Sequence, residues 1–385
     1  MCSKGKECKM QRFSTGLIRL WVKFRFKVFR LVSIILLGRE GAQSVVGLSV
    51  FFDLEFANSK DVRNRIVDRK LLSEATVQTY NCAKVPECWR VMFSRRTAFP
   101  RRFAYVLKDV EIGADSGVIH IRPVRAFSDD GTVFIQSAGS INFLFQWGIQ
   151  EVMRKARPIR EDAPICPMPT IGYYHDIFEG LLRVVKARKV FMDVKVLVSK
   201  NHPRYIDEML DLIGVQKDQI IVSDSPVRVK RGILIPRWID SGENLKEDVC
   251  ELRRVLTAGL PNGNPCETKR MKLYISRRKS RRPLPNEREV EMFFKNRGFT
   301  IAYFEDIPLL EQLKTIRSSE IIVAPHGAAL SNLVVAMPHI KVFEIMTQDY
   351  ANSCYGHIAS SLEIDYTCID ADSSDFFAQL EQLFL

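Results

Sequence analysis

Three features are missing from this sequence of 385 residues. No Cys-x-x-Cys pair occurs among its nine cysteines, and Cys82 and Cys88 are too widely spaced to predict a zinc site. No Asn-x-Ser/Thr sequon occurs, which disfavours long residence in a glycosylating compartment. No short internal repeat or low-complexity segment is present. We interpret most of the cysteines as buried thiols.

The chain also lacks an apolar run of the roughly 20 residues that a membrane span needs. Residues 31–37 and 45–52 are short apolar runs separated by Arg39 and Glu40. Residues 1–30 carry nine basic side chains and one acidic, so eight of the twelve net positive charges lie there. Because apolar and aromatic residues are mixed with these cations, residues 1–54 are predicted to be a basic amphipathic tail on an anionic membrane surface.

The tail also resembles a signal peptide or a weak signal-anchor, and the alternative is a poorly ordered extension. We therefore expect a membrane-associated protein, either of the Golgi or secretory type or on a cytoplasmic membrane face. Nucleic acid is not an expected partner, because the remaining 355 residues carry a net charge of only four.

A length of 385 residues, with 46% hydrophobic and 26% charged content, suits two globular domains. From about residue 175, helical and strand patterns alternate, which predicts α/β architecture with parallel sheets. The turn-rich segment 259–266 is the predicted linker. It divides an N-terminal α/β domain, 55–258, from a C-terminal α/β domain, 267–385, and we expect a cleft between them.

The periodicity predicts the following elements. Short strands are expected at 103–123 and 132–137, and further strands at 194–199, 219–222, 232–235, 271–276, 299–303, 320–324, 340–345 and 364–369. Helices are expected at 141–157, 175–188, 203–213, 245–256, 286–297, 308–317, 328–335, 350–361 and 374–384.

The segment 321–333, Ile-Ile-Val-Ala-Pro-His-Gly-Ala-Ala-Leu-Ser-Asn-Leu, has the order of a buried strand, a tight turn and a helix start. In open α/β sheets, ligands bind beyond the C-terminal strand ends, and the amides of a helix start attract phosphate. Gly327, Ala328 and Ala329 are small enough to admit a ligand close to the backbone. Alone, the segment also fits a strand–turn–helix unit without a ligand.

Five cations follow the strand at 271–276 in the run Arg277-Arg278-Lys279-Ser280-Arg281-Arg282. They would repel one another unless an anion lies nearby, and the planar fork of arginine suits phosphate. Because both strands end at one sheet edge, this loop is expected beside His326. A solvated basic loop is the alternative.

Other candidates carry weaker signals. Asn286 and Glu287 begin a helix, where capping alone explains them. Glu344 lies at the end of the predicted strand 340–345, where an acidic residue can accept hydrogen bonds from ribose. His175 opens a predicted helix and would suit a general base in the cleft, although a lone histidine is often structural. Asp370 and Asp372 are interpreted as a turn and N-cap cluster.

Together these residues resemble glycosyltransferase family 61. The C-terminal block is the specific part of the resemblance: it comprises Leu273 to Arg277, Asn286-Glu287, Gly298-Phe299, Glu311-Gln312, His326 to Asn332 and Glu344-Ile345. The upstream block is looser, with Tyr174, His175, Glu179 and Arg183 at a helix start. Gly172 and Asp176 stand where the family has Asn and Trp, and Ala329 stands where a second Gly is common.

The resemblance implies a GT-B-like fold with two Rossmann-like domains. It implies an inverting, metal-independent transfer of a hexosyl or pentosyl group from a nucleotide-sugar, most often a UDP-sugar, to a hydroxyl of a glycan or glycoprotein. No cofactor or metal is expected. The implied donor-diphosphate residues are Arg277, Arg278, His326, Gly327, Ala328 and Ala329. Glu344 would hold the ribose and His175 would be the base. Tyr174, Glu179, Arg183, Asn286, Glu287 and Asn332 would support the site.

Three alternatives stay open from the sequence. The chain could be a non-catalytic binder of nucleotides or phosphosugars that lacks a working base. It could be a membrane or nucleic-acid interaction protein that acts through its basic tail. It could also be a metal-dependent GT-A transferase that uses Asp370 and Asp372.

Overall fold

The computed structural model describes residues 65–82, 84–99, 101–115, 119–120, 155–235, 242–261 and 271–385. The predicted tail 1–54 and the predicted strand 132–137 lie outside these residues, as do most of the helix 141–157 and most of the linker 259–266. No helix within the described ranges is both long and apolar enough to span a bilayer.

The first sheet contains eight strands among the described residues, in the order β1-β4-β10-β7-β8-β9, with β5 beside β4 and β6 beside β10. β1, β4 and β10 pair antiparallel, whereas β7, β8 and β9 run parallel. β2 and β3 form a separate antiparallel pair. The bounds are β1 Ile66–Ser73, β2 Thr76–Thr79, β3 Arg96–Phe99, β4 Arg102–Ile112, β5 Ile119–His120, β6 Arg157–Pro158, β7 Ile165–Pro167, β8 Lys195–Ser199, β9 Ile220–Ser223 and β10 Val227–Leu234.

Four helices accompany this sheet in the described part of the chain. The second, α2, is built from three consecutive segments, the middle one in π geometry. The third ends before Gly214, whose φ of 71° is the left-handed conformation expected of a glycine after a helix. The bounds are α1 Arg90–Phe93, α2 Tyr173–His175 with Asp176–Leu181 and Leu182–Val190, α3 Arg204–Leu212 and α4 Lys246–Gly259.

The second sheet has five parallel strands in the order β12-β11-β13-β14-β15. Helices alternate with its strands, as the sequence pattern predicted. The strands are β11 Met271–Ile275, β12 Thr300–Ala302, β13 Ser319–Pro325, β14 Lys341–Met346 and β15 Asp365–Asp370. The helices are α5 Glu287–Lys295, α6 Leu309–Arg317, α7 Cys354–Ser361 and α8 Phe376–Phe384. The predicted helix 328–335 is a 3₁₀ segment, Ala328–Val335.

Successive side chains of a strand point to opposite faces of the sheet and therefore belong to different hydrophobic clusters. In β14, Val342 and Met346 join the large cluster that continues into the first sheet, whereas Ile345 joins an aromatic cluster on the opposite face. This is the period of two expected of a strand buried on both faces. The chain is therefore an α/β protein whose second sheet is parallel, as predicted, whose first sheet is mixed because β4 pairs antiparallel with β1 and β10, and whose core extends between the two sheets.

The segment before β3 contacts the second sheet. Lys84 forms a parallel bridge with Thr367 in β15, and its carbonyl accepts a hydrogen bond of 2.9 Å from the amide of Cys368. The ring of Phe93 lies 5.9 Å from the ring of Tyr366. Residues that the sequence assigned to the N-terminal domain thus extend the edge of the C-terminal sheet.

Candidate functional site

The candidate site lies where the strand order of the second sheet reverses. β12 lies on one side of β11, and β13, β14 and β15 follow on the other, which is the 2-1-3-4-5 order of a doubly wound sheet. In such sheets the ligand crevice opens beyond the carboxyl ends of the first and third strands. Here these are β11 and β13. Arg277 is the second residue after β11, and His326 follows β13 directly.

Arg277 joins the two strand ends. Its Nη1 atom donates a hydrogen bond to the carbonyl oxygen of His326, and its Nε atom donates to Ser280 Oγ at 3.1 Å. Burial lowers the pKa of this guanidinium, and the nearby charge of Arg282 lowers it further. The predicted proximity of the cation loop and the His326 turn is therefore present in the structure.

Glu287 organises the loop that carries Arg277. Its Oε1 atom accepts hydrogen bonds from the Tyr274 hydroxyl at 2.8 Å and from the Arg277 amide at 3.0 Å, and its Oε2 atom accepts from the Leu284 amide at 2.9 Å. Asn286 occupies the N-cap position of α5 but makes no capping hydrogen bond with its side chain. Capping therefore does not explain this pair, because Glu287 holds the loop.

Arg278 points elsewhere, contrary to its predicted place at the diphosphate. Its Nη2 atom donates to the Tyr303 hydroxyl at 2.5 Å, and its Nε atom lies 3.3 Å from Glu291 Oε1. Tyr303 follows β12, on the other side of β11 from His326. Successive side chains at a strand end point in opposite directions, so Arg277 contacts the His326 turn and Arg278 contacts Tyr303.

Glu344 does not lie in the crevice where a ribose could reach it. β14 continues two residues beyond Glu344, which places this carboxylate inside the sheet with no solvent exposure. Its Oε1 atom accepts a hydrogen bond from His326 Nδ1, and its Oε2 atom accepts one from the Tyr366 hydroxyl. The ribose assignment is therefore wrong for this geometry, and the carboxylate instead orients the imidazole of His326.

Gly327 is needed for the close approach of a side chain. Its backbone is extended, and a Cβ atom there would lie 2.8 Å from Arg277 Nε and 2.9 Å from Arg277 Cζ. Contrary to the expectation that Gly327 admits a ligand close to the backbone, the space over it is occupied by Arg277. The 3₁₀ segment begins with a bond from the Leu330 amide to the Gly327 carbonyl, so the amides of Ala328 and Ala329 precede its first internal bond.

A pocket of about 600 Å³ opens beside Ala328 and Ala329. Its walls come from the starts of α2 and α3, from the segment after β12 and from α6. Its lining residues are Tyr173, Arg204, Tyr205, Glu208, Phe304, Glu305, Asp306, Ile307, Pro308, Leu309, Gln312, Ala328 and Ala329. Elements that follow both sheets thus build one pocket, with aromatic rings, carboxylates and an amide on its surface.

Asn332 links the two sides of this pocket from beneath. Its Oδ1 atom accepts a hydrogen bond of 2.7 Å from the Tyr173 hydroxyl, and its Nδ2 atom donates to Gln312 Oε1 at 3.0 Å. Gln312 in turn donates to the carbonyls of Phe304 and Ile307, both at 2.8 Å. Burial raises the pKa of the Tyr173 hydroxyl, which stays protonated and donating. The predicted supporting residue Asn332 therefore holds the pocket wall.

His175 and Glu179 form a pair on α2. His175 Nδ1 lies 2.9 Å from Glu179 Oε1, one helical turn away, and the imidazole is partly exposed. Tyr173 lines the pocket, but His175 does not. Two residues of helix rotate the side-chain direction by about 200°, so the two side chains leave the helix on different faces.

The other predicted residues of α2 are buried. The Tyr174 hydroxyl accepts a hydrogen bond of 2.8 Å from Asn244 Nδ2, and its ring lies 5.8 Å from that of Tyr355, which in turn lies 5.1 Å from the His326 ring. Arg183 Nε donates to the Ile235 carbonyl at 3.3 Å. Tyr174 therefore connects α2 to the His326 turn, whereas Arg183 braces the first sheet.

Asp176, which stands where the family has Trp, fixes the start of α2. Its Oδ1 atom accepts from the amides of Ile171 and Gly172, at 2.8 and 3.2 Å, and its Oδ2 atom accepts from the Tyr205 hydroxyl at 2.6 Å. Burial raises the pKa of this carboxyl group. The residue also begins the π-helical segment, a geometry that is often found at functional sites.

Asp370 and Asp372 hold a turn, as the sequence predicted. Asp372 Oδ2 accepts the Gln348 amide at 2.7 Å, and Asp370 Oδ2 accepts the Gln348 side-chain amide at 3.2 Å. Their carboxylates thereby fix the start of the 3₁₀ turn Gln348–Tyr350, which follows β14.

Four residues near the site were missed from the sequence. Tyr173 was adjacent to a predicted residue, Arg282 belonged to the cation run, and Gln312 belonged to the family block, so each had a signal. Tyr350 had none, because an exposed tyrosine in a loop carries no pattern. Its position beside His326, with ring centroids 5.4 Å apart, depends on the parallel register of β13 and β14.

Comparison with known proteins adds two findings. A family model described as Glycosyltransferase 61 matches residues 131–343. The beta-1,2-xylosyltransferase RCN11 of Oryza sativa subsp. japonica is 31% identical over 71 residues, which is 18% of this chain and 13% of the relative. The aligned segment is thus only a small part of the relative's length. Arg277, Glu287 and His326 all lie within the family match, and Glu344 is the residue after it.

Proposed function

Because the chain belongs to glycosyltransferase family 61, we propose that it transfers a sugar from a nucleotide-sugar to a hydroxyl group of a glycan or glycoprotein, with inversion and without a metal ion. A UDP-sugar is the proposed donor. A pentose is the first sugar to test, since the name of the rice relative specifies xylosyl transfer. The proposal extends to a GT-B-like arrangement of two Rossmann-like domains. It is supported by the parallel second sheet, by the parallel strands β7, β8 and β9 of the first sheet, and by the pocket that elements following both sheets enclose.

The observation that carries the proposal is the junction of Arg277 with the His326–Gly327 turn at the switch point. When a glycosidic bond to a nucleotide breaks, negative charge grows on the departing diphosphate. In this proposal Arg277 and the amides of Ala328 and Ala329 stabilise that charge. The two amides precede the first internal hydrogen bond of the 3₁₀ segment, which supports this role. Preorganised donors of this kind each contribute about 10²- to 10³-fold in rate.

We assign the pocket beside Ala329 to the transferred sugar. Sugars present hydroxyl groups and weakly apolar faces, which suit a pocket lined by Tyr173 and Tyr205 together with Gln312. The two tyrosine rings lie 5.0 Å apart in an edge-on arrangement. This location brings the transferred sugar next to the proposed diphosphate site.

His175 is the proposed general base. The carboxylate of Glu179 accepts from Nδ1, which assigns the proton-accepting role to Nε2. General-base catalysis contributes about 10²- to 10⁴-fold. Because His175 is outside the pocket lining, the acceptor hydroxyl has to approach α2 from beyond the pocket. The same observation favours the second candidate, a nucleotide-binding protein that performs no transfer.

Membrane association through residues 1–54 remains part of the proposal. It rests on the nine basic side chains and the interspersed apolar residues of that segment. Binding of the full-length chain to anionic but not neutral vesicles would support it.

A thermal-shift panel tests the donor site. The full-length chain and its Arg277→Ala variant are heated with UDP, GDP, CDP or ADP, with and without EDTA. A ligand present at 100 times its dissociation constant stabilises the folded state by about 2.7 kcal/mol. We expect a shift with UDP that EDTA does not change and that the variant loses. If none of the four nucleotides produces a shift, the proposal is contradicted.

A transfer assay separates the two candidate functions. UDP-xylose and UDP-N-acetylglucosamine are incubated with the chain and a mixed glycan acceptor panel, and released UDP is measured. Sugar-dependent UDP release supports the transferase, whereas nucleotide binding without release supports the non-catalytic binder.

A further inference from the structure

Arg282 stacks on Tyr350. The guanidinium carbon of Arg282 lies 3.7 Å from the centroid of the Tyr350 ring, well within cation–π distance. Arg282 belongs to the loop that follows β11, and Tyr350 ends the 3₁₀ turn that follows β14. The contact therefore joins loops from two strands that are not neighbours in the sheet, across the end of β13.

Tyr350 also contacts the candidate site. Its ring centroid lies 5.4 Å from that of His326. Arg277 reaches the same turn directly, by donating to the His326 carbonyl. Two guanidinium groups from one loop thus converge on the His326 turn, one directly and one through a tyrosine ring.

The guanidinium groups of Arg277 and Arg282 repel each other. The charge of Arg282 contributes, after burial, to the lowered pKa of Arg277, which indicates that the groups are close enough to repel. Two like charges are held together at a cost unless an anion lies between them.

Three of the neighbouring carboxylates are engaged with other partners. Glu287 accepts hydrogen bonds from Tyr274 of β11 and from two amides of its own loop, Asp306 pairs with Lys279, and Glu344 is buried against His326 and Tyr366. The charges of Glu287 and Glu305 raise the pKa of Arg277, but each acts less strongly than Arg282 lowers it. The arrangement therefore suits an added dianion, and guanidinium forks bind phosphate groups with two parallel hydrogen bonds.

We propose that Arg282, positioned by Tyr350, is the second arm of a diphosphate clamp whose first arm is Arg277. This inference rests on the proposed function and specifies its donor site. A diphosphate has two phosphate groups and engages both arms, whereas a monophosphate engages one. The clamp thereby makes the site selective for a nucleoside diphosphate over the corresponding monophosphate.

Calorimetric titration of the full-length chain with UDP, UMP and inorganic pyrophosphate tests the clamp. Arg282→Gln should weaken binding of UDP and pyrophosphate about 10- to 100-fold, the usual effect of losing one charge-assisted contact, and should change UMP binding much less. Tyr350→Leu should have the same effect, because it removes the ring that positions the guanidinium. Tyr350→Phe keeps the ring and should bind UDP like the wild type.

Arg281→Gln is the matched control, since it removes the same charge from the adjacent exposed position of the loop. Melting temperatures establish that each variant is folded. If Arg282→Gln and Arg281→Gln weaken UDP binding equally, the clamp is overturned while the proposed donor site stands. If the wild-type chain binds neither UDP nor pyrophosphate, both the clamp and the proposed function are overturned.

Discussion

The imidazole of His326 is hydrogen-bonded through Nδ1 to Oε1 of Glu344, a carboxylate with no solvent exposure. The other oxygen of Glu344 accepts from the Tyr366 hydroxyl, so neither carboxylate oxygen lacks a partner. An ionised carboxylate only accepts hydrogen bonds, and this fixes the proton of neutral His326 on Nδ1. The backbone of His326 is fixed as well, because its amide donates to the Ile345 carbonyl at 2.7 Å.

Replacement of Glu344 by glutamine tests this orientation. The amide can present its NH₂ group to Nδ1, which removes the reason for the tautomer protonated on Nδ1. We expect Glu344→Gln to lower kcat about 10- to 100-fold and to alter the pH–rate profile, since a hydrogen bond to a charged group contributes about 1.5–3 kcal/mol. Steady-state kinetics at several pH values measure both effects.

Tyr366→Phe is the control for that variant. It removes a hydrogen bond from the same carboxylate but leaves the bond to His326 intact. We expect a loss of stability without a change in the shape of the pH–rate profile. An equal change in both profiles would mean that Glu344 serves only to stabilise the core.

Gly327→Ala tests the close approach of Arg277. The added methyl group would lie 2.8 Å from Arg277 Nε, so the guanidinium has to move. We expect nucleoside-diphosphate affinity to fall about tenfold or more, in line with the loss of a well-placed donor. In the Arg277→Ala background the same methyl group meets no guanidinium and should have little further effect. Additive losses in the double variant would count against this explanation.

His175→Ala tests the base. We expect turnover to fall about 10²- to 10⁴-fold while nucleotide binding is unchanged, because the residue acts on the acceptor. Glu179→Gln should produce a smaller loss, since the imidazole remains but its orienting carboxylate is gone. A decrease of less than tenfold for His175→Ala would exclude this residue as the base.

His357 makes stability depend on pH. Burial lowers the pKa of this imidazole from 6.5 to about 4, and the ring stacks on Tyr80 with centroids 4.0 Å apart. The unfolded chain takes up the proton first as the pH falls below 6.5, so stability present above that value is lost between pH 6.5 and about 4. The shift corresponds to about 3 kcal/mol for this residue.

Urea unfolding at several pH values between 7.5 and 4 measures this dependence. His357→Gln has no titrating group and provides the reference curve. We expect the difference in the free energy of unfolding between wild type and variant to shrink as the pH falls through that window. A constant difference would show that His357 does not titrate on unfolding.

The second sheet was predictable from the sequence, because its strands are short apolar runs between amphipathic helices. The predicted helix 308–317 is α6, Leu309–Arg317, and the predicted strand 271–276 is β11, Met271–Ile275. The strands β1 and β2 were missed. Most of their side chains are exposed or half-buried, so the apolar signal that marks a buried strand is absent.

The site was predictable only to the level of the loops that form it. The parallel strands placed Arg277 beside His326, since carboxyl ends share an edge. The direction of each side chain was not predictable: Arg278 turns to Tyr303, and Glu344 lies within β14. Both differences depend on where a strand ends to within one or two residues, which apolar periodicity does not define.

The bridge between Lys84 and Thr367 bears on how the chain can be divided. Separation of the two halves at 259–266 would leave a C-terminal fragment whose β15 keeps β14 but loses the bridge to Lys84. The Cys368 amide would lose its acceptor. The ring of Phe93 packs against Gly356 and Tyr366, and these contacts would be exposed to water at the same time. Recombinant halves would therefore have to be co-expressed and to reassociate, because each half supplies contacts that the other needs in order to fold.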